Sequence, residues 1–230
     1  MGFRTRKAWI TALVLAAVGA ALVAATAIAG VTVYSNNFSS KGEAKELRHA
    51  EGKNCNKDWR KKAKSVVVTA KKGKTVCGYR PPVEGDADAP NHKFKAKEKL
   101  LKETPKRVRD GVYLGIAVRS AKDTGYELQV FPTEHKFRLV RRTGGDKAGL
   151  LAKGRNKAID GTNKPNAMLL SAVGSQIVAK VNGKRLAKVA DRNSRQVDGR
   201  KVEVMLGYKK KRTKPALATF GNLELQVPRP

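Results

Sequence analysis

Residues 166–190 read NAMLLSAVGSQIVAKVNGKRLAKVA. Apolar residues recur at alternate positions on both sides of Asn182-Gly183, and Asn-Gly between two alternating runs is the strongest short-range signal for a two-residue hairpin. The stretch reads as an antiparallel meander. A two-residue loop also fixes a register that sets Lys180 directly across from Arg185, a like-charge pair that costs stability. A three-residue loop would offset them.

The same pattern extends outward along the chain. SVVVTA (65–70) is a β-branched run followed by the turn residues KKGK, and VYLGIAVRS (112–120) is almost continuously apolar, as a buried strand is. YELQV (126–130) points Tyr126, Leu128 and Val130 inward and Glu127 and Gln129 outward; KFRLV (136–140) alternates likewise. KVEVMLGY (201–208) and ALATFGNLELQV (216–227) supply the last strands. Residues 41–50 are expected to form one short helix. NHKFKAKEKL (91–100) follows a proline-rich loop with a period of two and reads as a strand ahead of the alternative, a helix over 95–104; the strand would put Lys93, Lys95, Lys97 and Lys99 along one face at intervals of about 7 Å. Lysines in such a row protect a sheet edge from unwanted pairing, and this row is expected to do so. Short strands with polar turns predict an all-β domain.

Charge and the N-terminus bound the partners. The 230 residues hold 49 Lys and Arg against 19 Asp and Glu, a net charge of +30. A field of that size attracts polyanions and destabilises the compact state by self-repulsion. MGFRTRK is followed by no charge from Ala8 to Ser40, and the run AWITALVLAAVGAALVAATAIAGVTVY is almost wholly apolar. Its length favours a retained transmembrane helix with the basic flank inside over a signal peptide cleaved after Ala27-Ile28-Ala29. Either way the expected division is 1–34 for the basic N-terminus and anchor, and 35–230 for an extracytoplasmic domain. Two cysteines, Cys55 and Cys77, suggest one disulfide in an exported domain, with two unpaired thiols as the alternative. Neither they nor His49, His92 and His135 show metal-ligand spacing, and no cofactor is indicated.

The order GIAVR, YELQV, KFRLVRR, AMLLSAVGSQIVAKVNGKRLAKVAD, ATFGNLELQVP resembles concanavalin A-like jelly-roll domains. It is similar in particular to 3-keto-disaccharide hydrolase-like domains and laminarinase-related lectin modules. Val181-Asn182-Gly183 matches the family's hairpin, and Phe220-Gly221-Asn222-Leu223 its closing strand, with VYSNNFSS (33–40) as the opening strand paired to it. The resemblance implies a sandwich of two curved antiparallel sheets, with carbohydrate often on the concave face.

Catalysis finds little support in the residues. Glycoside hydrolysis needs two carboxylates about 5–9.5 Å apart. The Glu-x-Asp-x-Glu strand of laminarinase relatives is missing, Asp123 and Glu127 are the only close acids on a strand, and Asp146, Asp160, Asp191 and Asp198 read as structural turn residues. VGSQ (173–176) lacks the second glycine of a nucleophile elbow. Arg119, Tyr126 and Arg138 form the expected ligand face. Lys93, Lys95, Lys97, Lys99, Lys180, Arg185, Lys209, Lys210, Lys211 and Arg212 are the expected polyanion contacts. Nucleic acid fits poorly outside the membrane, because aromatics are not interleaved with the basic runs. The expectation is a membrane-anchored, non-catalytic module for carbohydrate or an acidic cell-envelope polymer, with a glycan-processing hydrolase or a structural module as alternatives.

Overall fold

The computed structural model describes residues 30–71, 76–83, 91–121, 124–144, 148–194, 197, 199–209 and 213–228. The apolar run up to Ala29 lies outside them; among the described residues no helix is long and apolar enough to cross a membrane. Among the described residues, fifteen strands and two short α-helices follow one another as β1 (Gly30–Asn36), α1 (Lys41–Glu46), β2 (Arg48–Glu51), β3 (Cys55–Arg60), β4 (Ser65–Ala70), β5 (Val76–Arg80), β6 (His92–Leu100), α2 (Lys106–Arg109), β7 (Val112–Ser120), β8 (Thr124–Phe131), β9 (Lys136–Thr143), β10 (Ala148–Arg155), β11 (Asn166–Val173), β12 (Gln176–Val181), β13 (Lys184–Ala190), β14 (Lys201–Tyr208) and β15 (Ala216–Pro228). They form two antiparallel sheets. Sheet A runs β13-β12-β11-β6-β15-β4-β3 with β1 also on β15, and sheet B runs β10-β9-β8-β7-β14-β5-β2.

The core lies between the inner faces. Phe94, Leu100, Met168, Leu170 and Phe220 of sheet A meet Leu114, Ile116, Leu128, Leu139 and Leu206 of sheet B, all fully buried. The Asn-Gly hairpin forms as expected, with both turn residues at positive φ (46° and 79°), the geometry of a type I′ turn. Its register places Lys180 opposite Arg185. Asn182 also fastens the turn to its surroundings: its Oδ1 accepts from Ala167 N (2.7 Å) and its Nδ2 donates to Ala158 O (2.8 Å). The expected pairing of opening and closing strands is present between β1 and β15. The disulfide joins Cys55 on β3, the edge of sheet A, to Cys77 on β5 of sheet B, with Cα atoms 5.6 Å apart. Closing a loop of this length contributes roughly 3 kcal/mol in the chain-entropy account.

Three expectations change. The lysine row on β6 is not an edge guard, because β6 lies mid-sheet between β11 and β15. The helix of 41–50 stops at Glu46, and residues from Arg48 pass into β2. Residues 30–34, given to the apolar segment from sequence, belong to β1. β3 escapes the periodic reading because Lys57 occupies an inward position; its ammonium is held by the carbonyls of Ala44, Lys45 and Leu47 at the end of α1.

Glu98 on β6 points into the core, fully buried, and burial pushes its carboxyl well above the usual range. It is therefore neutral when folded, while in the unfolded chain it ionises above about pH 4.3. Below that pH the group does not distinguish the two states; above it, the unfolded chain gains by losing the proton, so stability falls as pH rises. Glu98→Gln removes this cost. Urea denaturation is expected to find the variant more stable than the parent at pH 8, with a clearly smaller difference at pH 5, the gap widening by up to about 1.4 kcal/mol per pH unit. An identical difference at both pH values would contradict a neutral buried Glu98.

Candidate functional site

Alternation along sheet B gives it a second, outward face built from the residues between the core positions. Tyr113, Gly115 and Ala117 of β7, Glu127, Gln129 and Phe131 of β8, Arg138, Val140 and Arg142 of β9, and Glu203, Met205 and Gly207 of β14 point away from the core. This face is strongly concave. β9 and β2 stand five strand spacings apart, about 24 Å at the usual interval. Yet Arg142 on β9 donates to both carboxylate oxygens of Glu51 on β2, at 3.3 and 3.2 Å. Two side chains cannot bridge a flat sheet of that width; the sheet curls until its flanks meet.

Small residues make the curl possible. A Cβ at Gly78 would stand 2.6 Å from the Glu51 side chain, and one at Gly207 would stand 2.3 Å from the Tyr113 ring. Over that floor the charged side chains converge on one guanidinium. Arg142 Nη1 holds Glu51, while Nε lies 3.8 Å from Glu127 and Nη2 3.9 Å from Glu203. Glu203 accepts from Arg80 Nε (2.9 Å) and from the Ser120 hydroxyl, and Glu127 accepts from Gln129 (2.9 Å). Burial pushes the Glu51 carboxyl up to about 7, with Arg142 pulling against it and Glu203 and Glu127 pushing further. Burial and then Glu127 keep the Tyr113 phenol protonated. The side chains of Glu203 and Glu127 are only 1% and 5% exposed. This half of the concave face is thus filled by its own ion network.

The other half is open. Where β9 and β10 begin and end, the same face holds a pocket of about 590 Å³. Lys136, Arg138, Lys153, Arg155 and Lys209 line it, with Phe131 and Leu150 supplying apolar surface. Cross-strand register aligns the cations: Arg138 sits opposite Lys153, and Lys136 opposite Arg155. Glu134 is the one acid in the lining, and it is already bound to Lys136 at 2.7 Å, a hydrogen bond that holds its carboxyl below the usual range. Among the described residues, Arg138, Lys153, Arg155 and Lys209 have no carboxylate at ion-pair distance. Leu150, 44% exposed, stands at the rim.

The residues singled out from sequence are distributed as follows. Arg138 and Lys209 come together in the open pocket. Arg119 and Tyr126 come together elsewhere: Tyr126 is fully buried on the core side, its hydroxyl donating to Asp191 Oδ2 at 2.9 Å, with the Arg119 guanidinium 5.8 Å from its ring. Arg119 sits at φ 50°, which breaks the strand alternation, and its Nη2 donates to Gly174 O and Asn91 Oδ1. Arg141 completes that cluster on Asp191 at 2.6 Å. Lys93, Lys95, Lys97, Lys99, Lys180 and Arg185 lie on the outward face of sheet A. Lys210, Lys211 and Arg212 lie outside the described residues, as do Asp123, Asp146 and Asp198. Glu51, Glu203 and Arg142 were missed; Glu203, flanked by Val202 and Val204 on an apolar strand, is the signal that could have shown a polar second face. Among the described residues no cluster suited to a metal ion occurs.

No protein-family model matches the sequence, and no curated protein matches it. Solved structures do resemble it. The carbohydrate-binding module CBM66 from Bacillus subtilis aligns over 79% of this chain and 96% of its own at 11% identity, with a TM-score of 0.57. A Bacillus subtilis protein of unknown function with a galectin-like fold aligns over 87% and 98% at 14% identity and a TM-score of 0.62. A Bacillus licheniformis β-glucanase aligns over 87% and 100% at 12% identity and a TM-score of 0.54. At such identities the likeness establishes the fold: a concanavalin A-like jelly-roll sandwich, as the sequence resemblance implied.

The ion network gives a direct prediction. Arg142→Met leaves three clustered carboxylates without their shared cation, and the expected cost at pH 8 is about 3 kcal/mol. At pH 5.5 the cost is expected to be smaller, because Glu51, with its carboxyl already near 7, takes up a proton and relieves the repulsion. Guanidinium unfolding at the two pH values checks this; a loss independent of pH would mean that Arg142 acts through packing alone.

Proposed function

We propose that this chain is a non-catalytic carbohydrate-binding module, held at the outer surface of a membrane by the apolar segment preceding β1. Its ligand is an acidic envelope polysaccharide that enters the open pocket of the concave face. The observation that carries this reading is the lining of that pocket: five cations with one already-paired acid, on apolar ground supplied by Phe131 and Leu150. Carboxylates of uronic acids or phosphates of a polymer would meet Arg138, Lys153, Arg155 and Lys209, with arginine able to take two oxygens at once. The C–H faces of the sugar ring would rest on Leu150. The carbohydrate-binding module and the β-glucanase among the structural neighbours support a saccharide rather than another anion.

A second reading, hydrolysis of a glycan, draws on the gathering of Glu51, Glu127 and Glu203, which the sequence reading did not foresee. A general acid with its carboxyl near 7 beside a second carboxylate is the pairing that such chemistry uses. Against it, Glu127 and Glu203 are buried beneath Tyr113, Arg142 and Arg80, where a glycosidic bond cannot reach them.

Calorimetric titration of the full chain in non-ionic detergent with polygalacturonate and with a neutral glucan separates these readings. Polygalacturonate is expected to bind and to weaken between 50 and 500 mM salt as surface attraction is screened, and trigalacturonate, short enough to report on the pocket alone, to lose at least tenfold affinity in Arg138→Ala/Lys153→Ala. Equal binding of the neutral glucan, unaffected by the double variant, would overturn the proposal. Release of reducing sugar that Glu51→Gln abolishes would establish the hydrolase.

A further inference from the structure

The outward face of sheet A lies on the opposite side of the sandwich from the concave pocket. Lys93, Lys95, Lys97 and Lys99 run down its middle on β6, at intervals of about 7 Å. Their cross-strand neighbours do not neutralise them. On β11 they face Ser171, Leu169 and Ala167, and on β15 Gln226, Gly221 and Thr219; only Lys95 meets an acid, Glu224, with both carboxylate oxygens at 2.9 Å. One strand pair further out, the Asn-Gly turn sets Lys180 against Arg185. Between these groups opens a groove of about 440 Å³ lined by Lys95, Lys97, Lys180, Gly183, Asn222 and Glu224.

Like charges this close repel, and edge protection does not explain them on a central strand. A ligand carrying regularly repeated negative charge along its length does. We propose that this lysine ladder is a second polyanion site, independent of the pocket, so that one molecule grips two acidic polymer strands from opposite faces and bridges them. The bridging role rests on the reading of the concave pocket given above; the ladder does not. The row is linear and backed by a groove, which suits an extended acidic polysaccharide rather than the broad plane of an anionic bilayer. Two sites facing away from each other on a rigid sandwich cannot close on one short segment, and therefore cross-link.

Full-length protein in phosphatidylcholine nanodiscs, mixed with long polygalacturonate, tests this with two readouts: lysine acetylation mapped by mass spectrometry, and light scattering. Polymer is expected to slow acetylation of Lys93, Lys95, Lys97 and Lys99 at least fivefold. Scattering is expected to rise and then fall as protein passes into excess. Replacing the four lysines by Gln should abolish the scattering while leaving short-oligosaccharide binding at the pocket, and replacing them by Arg should retain it. Loss of scattering in Arg138→Ala/Lys153→Ala with ladder protection intact supports two independent sites. Ladder protection with scattering untouched by that pocket variant would sink the pocket reading alone and leave the ladder as a polymer site. Unchanged acetylation with polymer overturns the proposal. So does protection that arises only in phosphatidylglycerol nanodiscs without polymer, which would assign the ladder to lipid.

Discussion

The Arg142 guanidinium closes sheet B on itself. It reaches Glu51 from five strands away and lies within 3.9 Å of Glu127 and Glu203 on the way. Ion pairs removed from water seldom stabilise a fold relative to apolar side chains of the same size, but breaking one that exists is costly. The network therefore acts as a geometric constraint: once the four groups are inside, the sheet has little freedom to flatten. Gly78 and Gly207 permit the close approach, and the strand twist common to all antiparallel sheets supplies the tendency to coil.

That curl divides the concave face between structure and ligand. Where Glu51, Glu127, Glu203 and Arg142 meet, positive and negative groups answer one another and water is largely excluded. Beyond Gln129 the cations continue along Arg138, Lys153, Lys136 and Arg155, while the acids give out apart from Glu134. Positive charge without matching acids thus lines one end of the concave face and runs along the opposite sheet. Neither arrangement serves folding, since solubility needs far less charge than +30. The core between the sheets and the Cys55–Cys77 bridge hold together a molecule whose surface pushes itself apart.

Much of the fold was legible because strands declare themselves locally. The boundaries of β7 and β14 coincide with the apolar runs 112–120 and 201–208, and Asn182-Gly183 marked a hairpin whose two-residue loop, one of the two lengths the sequence allowed, is the one the structure adopts. Sheet order was not legible, and so the β6 lysines were assigned to an edge; no local pattern tells a central strand with one polar face from an outer strand. Tyr126 illustrates the limit within one residue: alternation correctly turned it inward, which removes it from the ligand face it had been assigned to. The ion network was invisible for a different reason. Glu51 and Glu203 stand at opposite ends of the sequence, and only curvature makes them neighbours of Arg142. Polar residues on buried strands, such as Glu203 in KVEVMLGY, are the local trace that such a site leaves.

The most direct test of the account is the footprint of a short acidic oligosaccharide on the full chain, read from amide chemical shifts in nitrogen-labelled protein. A trigalacturonate is too short to span the lysine ladder and fits the concave pocket. The account predicts shifts clustered at Phe131 to Arg138, Leu150 to Arg155 and Lys209, the segments that line the pocket. Shifts confined to β6 and the Asn182-Gly183 hairpin, or none at all at millimolar ligand, would contradict it.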